Sequence, residues 1–269
     1  MSSPLGSALV TGSSSGIGAV YADRLAARGY DLILVARNEQ RLRERADKLA
    51  STHGVQVDVL AADLTDAADL RRVEARLAED DRITMLVNNA GFGGAGTLAQ
   101  SPVDDMERMI DVNVTAVMRL SYAVAPAFVA RKAGTIINIA SIVAVAPEIL
   151  NGVYGGSKAF VLAFSRSLKK ELSDSGVTVQ VVLPGATGTE FWDIAGLPSS
   201  NLPESWVMTP ETLVDAALSD LDAGLFASIP SLQDDRQWQA WETAREAMSN
   251  HLSSRTAGPR YAARAGNKN

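Results

Sequence analysis

The sequence predicts an α/β fold: a doubly wound parallel sheet, flanked by helices on both faces and built as a single domain. Three observations carry this expectation. Short runs rich in β-branched residues alternate with amphipathic stretches of helical length. The short runs are almost continuously apolar, as strands covered on both faces are, rather than alternating as half-wet strands do. A glycine-rich turn, Gly12 to Gly18, joins the first run to the first amphipathic stretch. Strand and helix in repeated alternation imply a parallel sheet with helices on either side.

Taken in order, strands are expected over 7–11, 31–36, 55–61, 83–88, 135–140 and 177–183, where the apolar runs lie. Helical periodicity places helices between them over 16–28, 38–51, 66–79, 102–131 and 152–173. A late amphipathic stretch, 234–252, carries Trp238 and Trp241 three residues apart, a packing pattern. One domain is expected over 1–256, with about 186–256 as a substrate loop and small helical part. From Ala257 the composition turns small and polar, so 257–269 is expected to be a flexible tail.

Composition excludes several classes of function. With 269 residues, 46% of them apolar, the chain is long enough for a sizeable core. It has no cysteine, which removes disulfides, thiolate metal sites and a cysteine nucleophile. A net charge of −6 argues against a nucleic-acid partner. The first residues lack a basic region followed by an apolar run, and no uninterrupted apolar stretch reaches membrane-spanning length, so the expected location is the cytoplasm. His53 and His251 have no acid or serine partner at a telling spacing, so neither a hydrolytic triad nor a metal site is expected. Arg41, Arg43, Arg45 and Lys48 stand among acids on the second helix and read as a solvated face.

The first chemical signal is Thr11-Gly12-Ser13-Ser14-Ser15-Gly16-Ile17-Gly18. A strand enters this turn and a helix leaves it, so backbone N–H groups and a helix N-terminus face outward together, which suits a pyrophosphate. A plain strand-to-helix turn is the alternative. The second signal is Tyr154 with Lys158, four apart on one helix face. An unperturbed phenol, pKa about 10, is too weak a base at neutral pH; a neighbouring ammonium favours the phenolate and lowers that value. Ser141 stands at the carboxyl end of a strand, where open α/β sheets bind ligands, and suits a hold on a substrate oxygen. The alternatives are that Tyr154 packs, Lys158 snorkels, and Asn113 is a core amide that distorts its helix.

In order along the chain, the glycine turn, Asn88-Asn89-Ala90-Gly91, Asn113, Ser141, Tyr154-Gly-Gly-Ser-Lys158 and Pro184-Gly185 with Thr189 resemble the motifs of the short-chain dehydrogenase/reductase family, in its single-domain NADP(H)-preferring type. The resemblance runs from about Leu5 to Trp192 and implies a Rossmann-type fold. It implies a catalytic set of Asn113, Ser141, Tyr154 and Lys158, with Tyr154 as acid/base, Lys158 also on the nicotinamide ribose, and Asn113 supporting a proton relay. It implies cofactor contacts from Gly12, Ser14, Ser15, Gly16 and Ile17, from Asp63 and Leu64 on the adenine side, from Asn89, Ala90 and Gly91, and from Pro184, Gly185, Thr187 and Thr189. Asp63 reads equally as a helix cap. At the end of the second strand, NAD-specific relatives carry an acid for the ribose 2′-OH, whereas this chain has Ala36-Arg37. A guanidinium there matches the 2′-phosphate of NADPH or NADP+, unless Arg37 merely solvates the strand end.

Ile142 and Val143 past Ser141, and Phe191 and Trp192 past the sixth strand, lie where the family walls its substrate pocket. They are apolar, although Glu148 and Glu190 lie close by in sequence. The expected activity is therefore NADPH-dependent hydride transfer, of carbonyl reductase or alcohol dehydrogenase type, on a ketone or aldehyde with an apolar body. An NADP(H)-binding sensor on the same fold is the alternative. Phe160 and Phe164, turned about 100° from the catalytic face, suggest a homodimer or homotetramer, or burial against the chain's own neighbouring helix.

Overall fold

The computed structural model describes residues 3–197 and 199–261; of the expected tail, 262–269 lie outside the described residues, while 257–261 are exposed. The chain divides into two compact units, Met1–Ser231 and Leu232–Asn269. In the first, a seven-stranded sheet runs β3-β2-β1-β4-β5-β6-β7, parallel throughout. Its strands are β1 Ser7–Thr11, β2 Asp31–Ala36, β3 Val57–Ala61, β4 Ile83–Asn88, β5 Gly134–Ile139, β6 Val177–Val182 and β7 Ala227–Ser228. Its helices are α1 Gly16–Ala27, α2 Glu39–His53, α3 Ala67–Glu79, α4 Val103–Ile110, α5 Val117–Arg131, α6 Gly152–Glu171, α7 Phe191–Ile194 and α8 Pro210–Asp222. The second unit holds α9, Asp235–Ser249, capped by Asp234, with Trp238 and Trp241 stacked at 4.9 Å on it.

Strand periodicity sorts the core into two layers. Ala8, Val10, Leu32 and Leu34 face Tyr21, Leu25, Leu42 and Leu213 on one side of the sheet. The intervening Leu9, Ile33 and Val35 face Leu70, Val73, Leu120 and Phe128 on the other. Each fully buried large aliphatic side chain contributes about 1.5–3 kcal/mol. A one-residue slip would therefore exchange two full apolar faces, and the register is fixed. At the end of α5 the chain turns tightly: Gly134 has φ +153, and a Cβ there would meet the Phe128 ring at 2.3 Å.

Two elements were not expected, α8 and β7. Thr209 caps α8 by accepting from the Thr212 N–H, with Pro210 in its first turn, and the helix buries Leu213, Val214, Ala217 and Leu218. The expected helix over 102–131 is not regular. A π-helical turn, Asp111–Ala116, separates α4 from α5. The helical segment Val103–Arg131 is long and apolar enough, by length and composition alone, to cross a membrane, although charges such as Asp111 and Arg119 interrupt its apolar run. In this fold Leu120, Val124 and Phe128 on α5 are spent on the sheet.

The order of the strands puts a switch point between β1 and β4, where the chain's crossovers change direction and open α/β sheets bind ligands. Thr11 braces it. Its buried hydroxyl donates to the Val87 carbonyl and accepts from the Asn89 and Ala90 N–H groups, both at 3.0 Å. Thr11→Val keeps the shape but leaves both N–H groups without that acceptor, and should lower stability by about 1–3 kcal/mol in denaturant titration. Thr11→Ser, which keeps the hydroxyl, should lose clearly less; a fully stable Thr11→Val would show that the hydroxyl does not brace the switch point.

Candidate active site

The glycine turn is held open from below. Gly12 and Ser13 both donate to the Val35 carbonyl, and Gly12 sits at φ +66. A Cβ on Gly18 would lie 2.4 Å from the Gly12 carbonyl oxygen, so α1 can start this close to β1 only with glycine there. Ser15, the residue before α1, leaves its side chain off the helix end, and the first turn carries no acid. The α1 N-terminus thus keeps its partial positive charge for a ligand anion. Asn89 braces the turn, since its amide donates to the Thr11 and Gly12 carbonyls at 2.9 and 3.2 Å. Thr189 lies over the same turn, its Cγ2 3.2 Å from where a Cβ on Gly16 would be.

Ser141, Tyr154, Lys158 and Asn113 converge beyond the carboxyl ends of β4 and β5. The Ser141 hydroxyl faces the Tyr154 phenol and favours its ionised form. Ser141 also bonds the Pro184 carbonyl and the Val143 N–H, both at 3.4 Å. Asn151 caps α6, accepting from the Val153 and Tyr154 N–H groups, and so fixes the turn that carries the tyrosine. Lys158 is buried, its Nζ donating to the Ile139 carbonyl at 2.9 Å and lying 5.9 Å from the Tyr154 ring centre. Asn113 accepts from the Phe92 N–H, donates to the Phe92 carbonyl at 2.9 Å, and donates to Ser157 at 3.0 Å. A side chain on Gly91 would collide with it, since a Cβ would lie 2.8 Å from Asn113 Oδ1.

Burial governs the titration of the pair. It pushes the Tyr154 phenol up to about 12, opposed only by the Ser141 hydrogen bond. It pulls the Lys158 ammonium down to about 8. The expectation that Lys158 lowers the tyrosine therefore does not hold in this structure: removal from water outweighs a cation that lies beside the ring.

The remaining expected residues fall into place unevenly. Arg37 is exposed at the end of β2 and unpaired among the described residues. Asp63 closes a local turn, accepting from the Thr65 N–H and hydroxyl; Asp66, not Asp63, caps α3. Leu64 is buried. The Thr187 carbonyl accepts from the Trp192 indole at 2.8 Å, and its hydroxyl donates to the Gly185 carbonyl. Phe191 packs 5.7 Å from the Tyr154 ring and meets Trp192 edge-on at 5.5 Å. Val143 joins this apolar wall, whereas Ile142 does not. The wall also contains Met109, Met106, Phe92, Leu150 and Val153, which sequence reasoning missed. Phe92, immediately after Gly91, and the Met106/Met109 pair at helical spacing were the available signals. Of the basic side chains of α2, Arg41, Arg43 and Lys48 are solvent-exposed as expected, and Arg45 is half-buried. Arg43 pairs with Glu39 in solvent, but Arg41 reaches Glu190 and Arg45 bonds the Ser14 carbonyl.

Comparison with known proteins agrees with this arrangement. The family model for short chain dehydrogenase matches residues 7–195. An uncharacterized oxidoreductase of Staphylococcus epidermidis is 34% identical over 207 residues, 74% of this chain and 88% of the relative. Serine 3-dehydrogenase of Rhizobium radiobacter is 36% identical, over 69% of this chain and 74% of its own. Among solved structures, a short-chain dehydrogenase from Sphingobium yanoikuyae in complex with NADPH superposes with TM-score 0.93 at 48% identity, covering 95% of this chain and 99% of that one. A bulky-bulky ketone specific alcohol dehydrogenase from Comamonas testosteroni does so with TM-score 0.88 at 41% identity, over 95% and 98%.

The buried ammonium also sets a pH dependence. Between pH 8 and pH 10 the unfolded chain holds a proton on Lys158 that the folded chain has released, so this group makes stability rise with pH; above 10 Tyr154 acts in the opposite sense. The melting temperature of the natural chain, measured relative to Lys158→Met, should therefore climb from pH 8 to pH 10. A flat or falling difference would mean that the ammonium keeps its solvation.

Proposed function

The chain belongs to the short-chain dehydrogenase family, and from that premise we propose that it is an NADP(H)-dependent oxidoreductase acting on ketones or aldehydes with an apolar body and on the matching secondary alcohols. The observation that carries this reading is the convergence of Tyr154 and Ser141, both buried, against an apolar wall, with Lys158 buried on the same helix as the tyrosine. That is a proton donor and an oxygen holder in a buried setting, the pair a carbonyl needs as its oxygen gains charge.

The residues fit a nicotinamide dinucleotide. The α1 N-terminus is free of acid, and the glycine turn is open to a pyrophosphate. Arg37 offers an unpaired guanidinium where an acid would favour NAD, and the similar Sphingobium yanoikuyae protein was solved with NADPH. Among the described residues one hydrogen bond runs from Lys158 to the protein, and its other donors suit a ribose. When bound, the nicotinamide supplies or accepts the hydride. Ser141 would then hold the substrate oxygen, Tyr154 would give it a proton in reduction or take one in oxidation, and Lys158 would hold the cofactor ribose. A phenol held at about 12 is fully protonated at neutral pH, which suits the reductive direction. Phe191, Met109, Val143 and Phe92 leave no partner for a carboxylate or phosphate on the substrate, and an unpaired buried charge is costly. This favours aryl and alkyl ketones, in keeping with the ketone named for the Comamonas testosteroni relative.

Assembly as a homodimer or homotetramer is part of the proposal. Phe160 and Phe164 stack at 5.5 Å on α6, and Phe164 stacks on Tyr122 of α5 at 6.4 Å. The chain's own helix thus covers part of this aromatic row, yet Tyr122 stays 67% exposed and presents it outward. Light scattering at micromolar protein should give at least twice the chain mass; a monomer would remove this part.

Followed at the nicotinamide absorbance with NADPH and a panel of carbonyls, kcat/KM should be higher for apolar ketones than for hydroxy acids or sugars. Tyr154→Phe should lower turnover at least about a hundredfold, the scale of a lost general acid. NADPH affinity should stay within a few-fold. Near-normal turnover would end the assignment of Tyr154.

A further inference from the structure

The loop that follows β4 borders the apolar wall, and polar bonds fasten it at three points. Phe92 is held at both of its backbone groups by Asn113. Ala95 donates to the Ala195 carbonyl, just past α7, at 3.1 Å. Gly93, between them, lies against Phe191, where a Cβ would come within 2.5 Å of the ring. After Gly96 the chain closes a turn on itself. Gln100 and Ser101 donate from the backbone to the Thr97 carbonyl, and Thr97 donates its N–H and hydroxyl to Gln100 Oε1. That turn carries Leu98 out into solvent, 93% exposed, so its apolar side chain anchors nothing.

The third fastening is Asn151, which is buried and uses both ends of its amide. Its Nδ2 donates to the Gly96 carbonyl at 2.7 Å and to Ser101 Oγ at 3.3 Å. Its Oδ1 accepts from the Val153 and Tyr154 N–H groups at 2.9 and 3.4 Å. One side chain thus joins both ends of the Gly96–Ser101 turn to the first turn of α6. A second path closes the circuit: Asn113 donates to Ser157, whose hydroxyl donates to the Tyr154 carbonyl at 2.8 Å. The backbone N–H and carbonyl of Tyr154 are therefore each tied, through a buried amide, to the loop that borders the pocket.

On the oxidoreductase reading above, we infer that Asn151 is a positioning residue with two separable roles. Its oxygen sets the turn from which Tyr154 projects, and its nitrogen sets the seat of the substrate-side loop. The first role acts on turnover, because a proton donor must meet the substrate oxygen within hydrogen-bond reach. The second acts on ketone binding, because a slack loop gives up contacts made equally to substrate and transition state. Substitutions divide the two. Asn151→Asp keeps the capping oxygen and sets a carboxylate oxygen against the Gly96 carbonyl. Asn151→Ser keeps a capping oxygen on a side chain too short for the loop, and Asn151→Ala keeps neither.

Steady-state kinetics of the full-length protein, with NADPH and the best apolar ketone of the panel, separate the roles. Asn151→Asp and Asn151→Ser should raise KM for the ketone about three- to tenfold, the scale of one hydrogen bond, with kcat within twofold. Asn151→Ala should raise KM alike and also lower kcat about tenfold, less than the roughly hundredfold of a 1 Å misplacement. KM for NADPH should stay within twofold in all three. Ser101→Ala, which loosens the same turn without touching α6, should raise KM for the ketone alone. Amide exchange gives a readout that needs no turnover. In Asn151→Ser the Ala95–Ser101 amides should quicken while Val153–Gly155 stay slow, and in Asn151→Ala both groups should quicken. Equal losses of kcat in the three Asn151 variants, or a fall in kcat without a rise in KM in Asn151→Ser, would overturn the division. Unchanged kinetics in Asn151→Ala would overturn the role altogether. Should Asn151→Ala fail to fold, the Asp and Ser variants and Ser101→Ala still decide the role of the nitrogen. If the natural chain reduces no ketone of the panel, the oxidoreductase reading falls, and the exchange pattern alone decides whether Asn151 joins the loop to α6.

Discussion

Lys158 places an ammonium in the buried interior, and the elements around it are arranged by what that requires. A buried cation with no carboxylate beside it is held only by aligned oxygen dipoles, and Ile139 at the end of β5 supplies one at 2.9 Å. That bond needs β5 and α6 in fixed relation, which the buried Asn138–Ser165 hydrogen bond provides at 2.9 Å. It also needs the loop after β4 to pass close by without a side chain: a Cβ on Gly91 would lie 3.4 Å from the Lys158 nitrogen. The π turn follows from the same constraint. Asn113 must turn its amide toward both Phe92 backbone groups and Ser157, and an extra residue per turn there brings it into place.

The desolvation that strains the lysine acts on the tyrosine with the opposite formal sign and the same chemical result. Both groups are pushed toward neutrality, the phenol by retaining its proton and the ammonium by giving one up. The lysine therefore contributes little to tyrosine acidity while Phe191 roofs the site. Whatever displaces that roof and brings polar groups near Tyr154 alters the balance, so the position of the segment after β6 governs the chemistry as well as access.

Much of this was legible in the residues. The apolar runs located six strands, with three of them shifted by one or two residues at an end, and the glycine turn and Tyr154–Lys158 spacing located both halves of the site. What was not legible arose from tertiary placement. The short β7 has only two residues, too few to show a period, and α8 begins beyond the stretch where motifs guided the reading. That Asn113 distorts its helix was one of the two readings open in the sequence; the form of the distortion, a π turn, was not legible, because its partners include backbone atoms 21 residues away. The cluster on α2 read as solvated because sequence does not distinguish Arg43, paired within its own helix, from Arg41 and Arg45, whose partners lie on other elements. The tyrosine's direction of shift was misread for a related reason: helical spacing gives the distance to a cation but not the depth of burial.

The two halves of the site are built from different materials, and the difference explains why they meet where they do. The cofactor side is made of backbone N–H groups, glycines and arginine, which recognise charge and tolerate little movement. The substrate side is made of Phe191, Met109, Val143 and Phe92, which are apolar and recognise shape. The two halves meet along one segment of the chain. Residues 187–192 occupy that position, with Thr187 and Thr189 on the polar side, Phe191 and Trp192 on the apolar side, and Glu190 between them on a bond to α2.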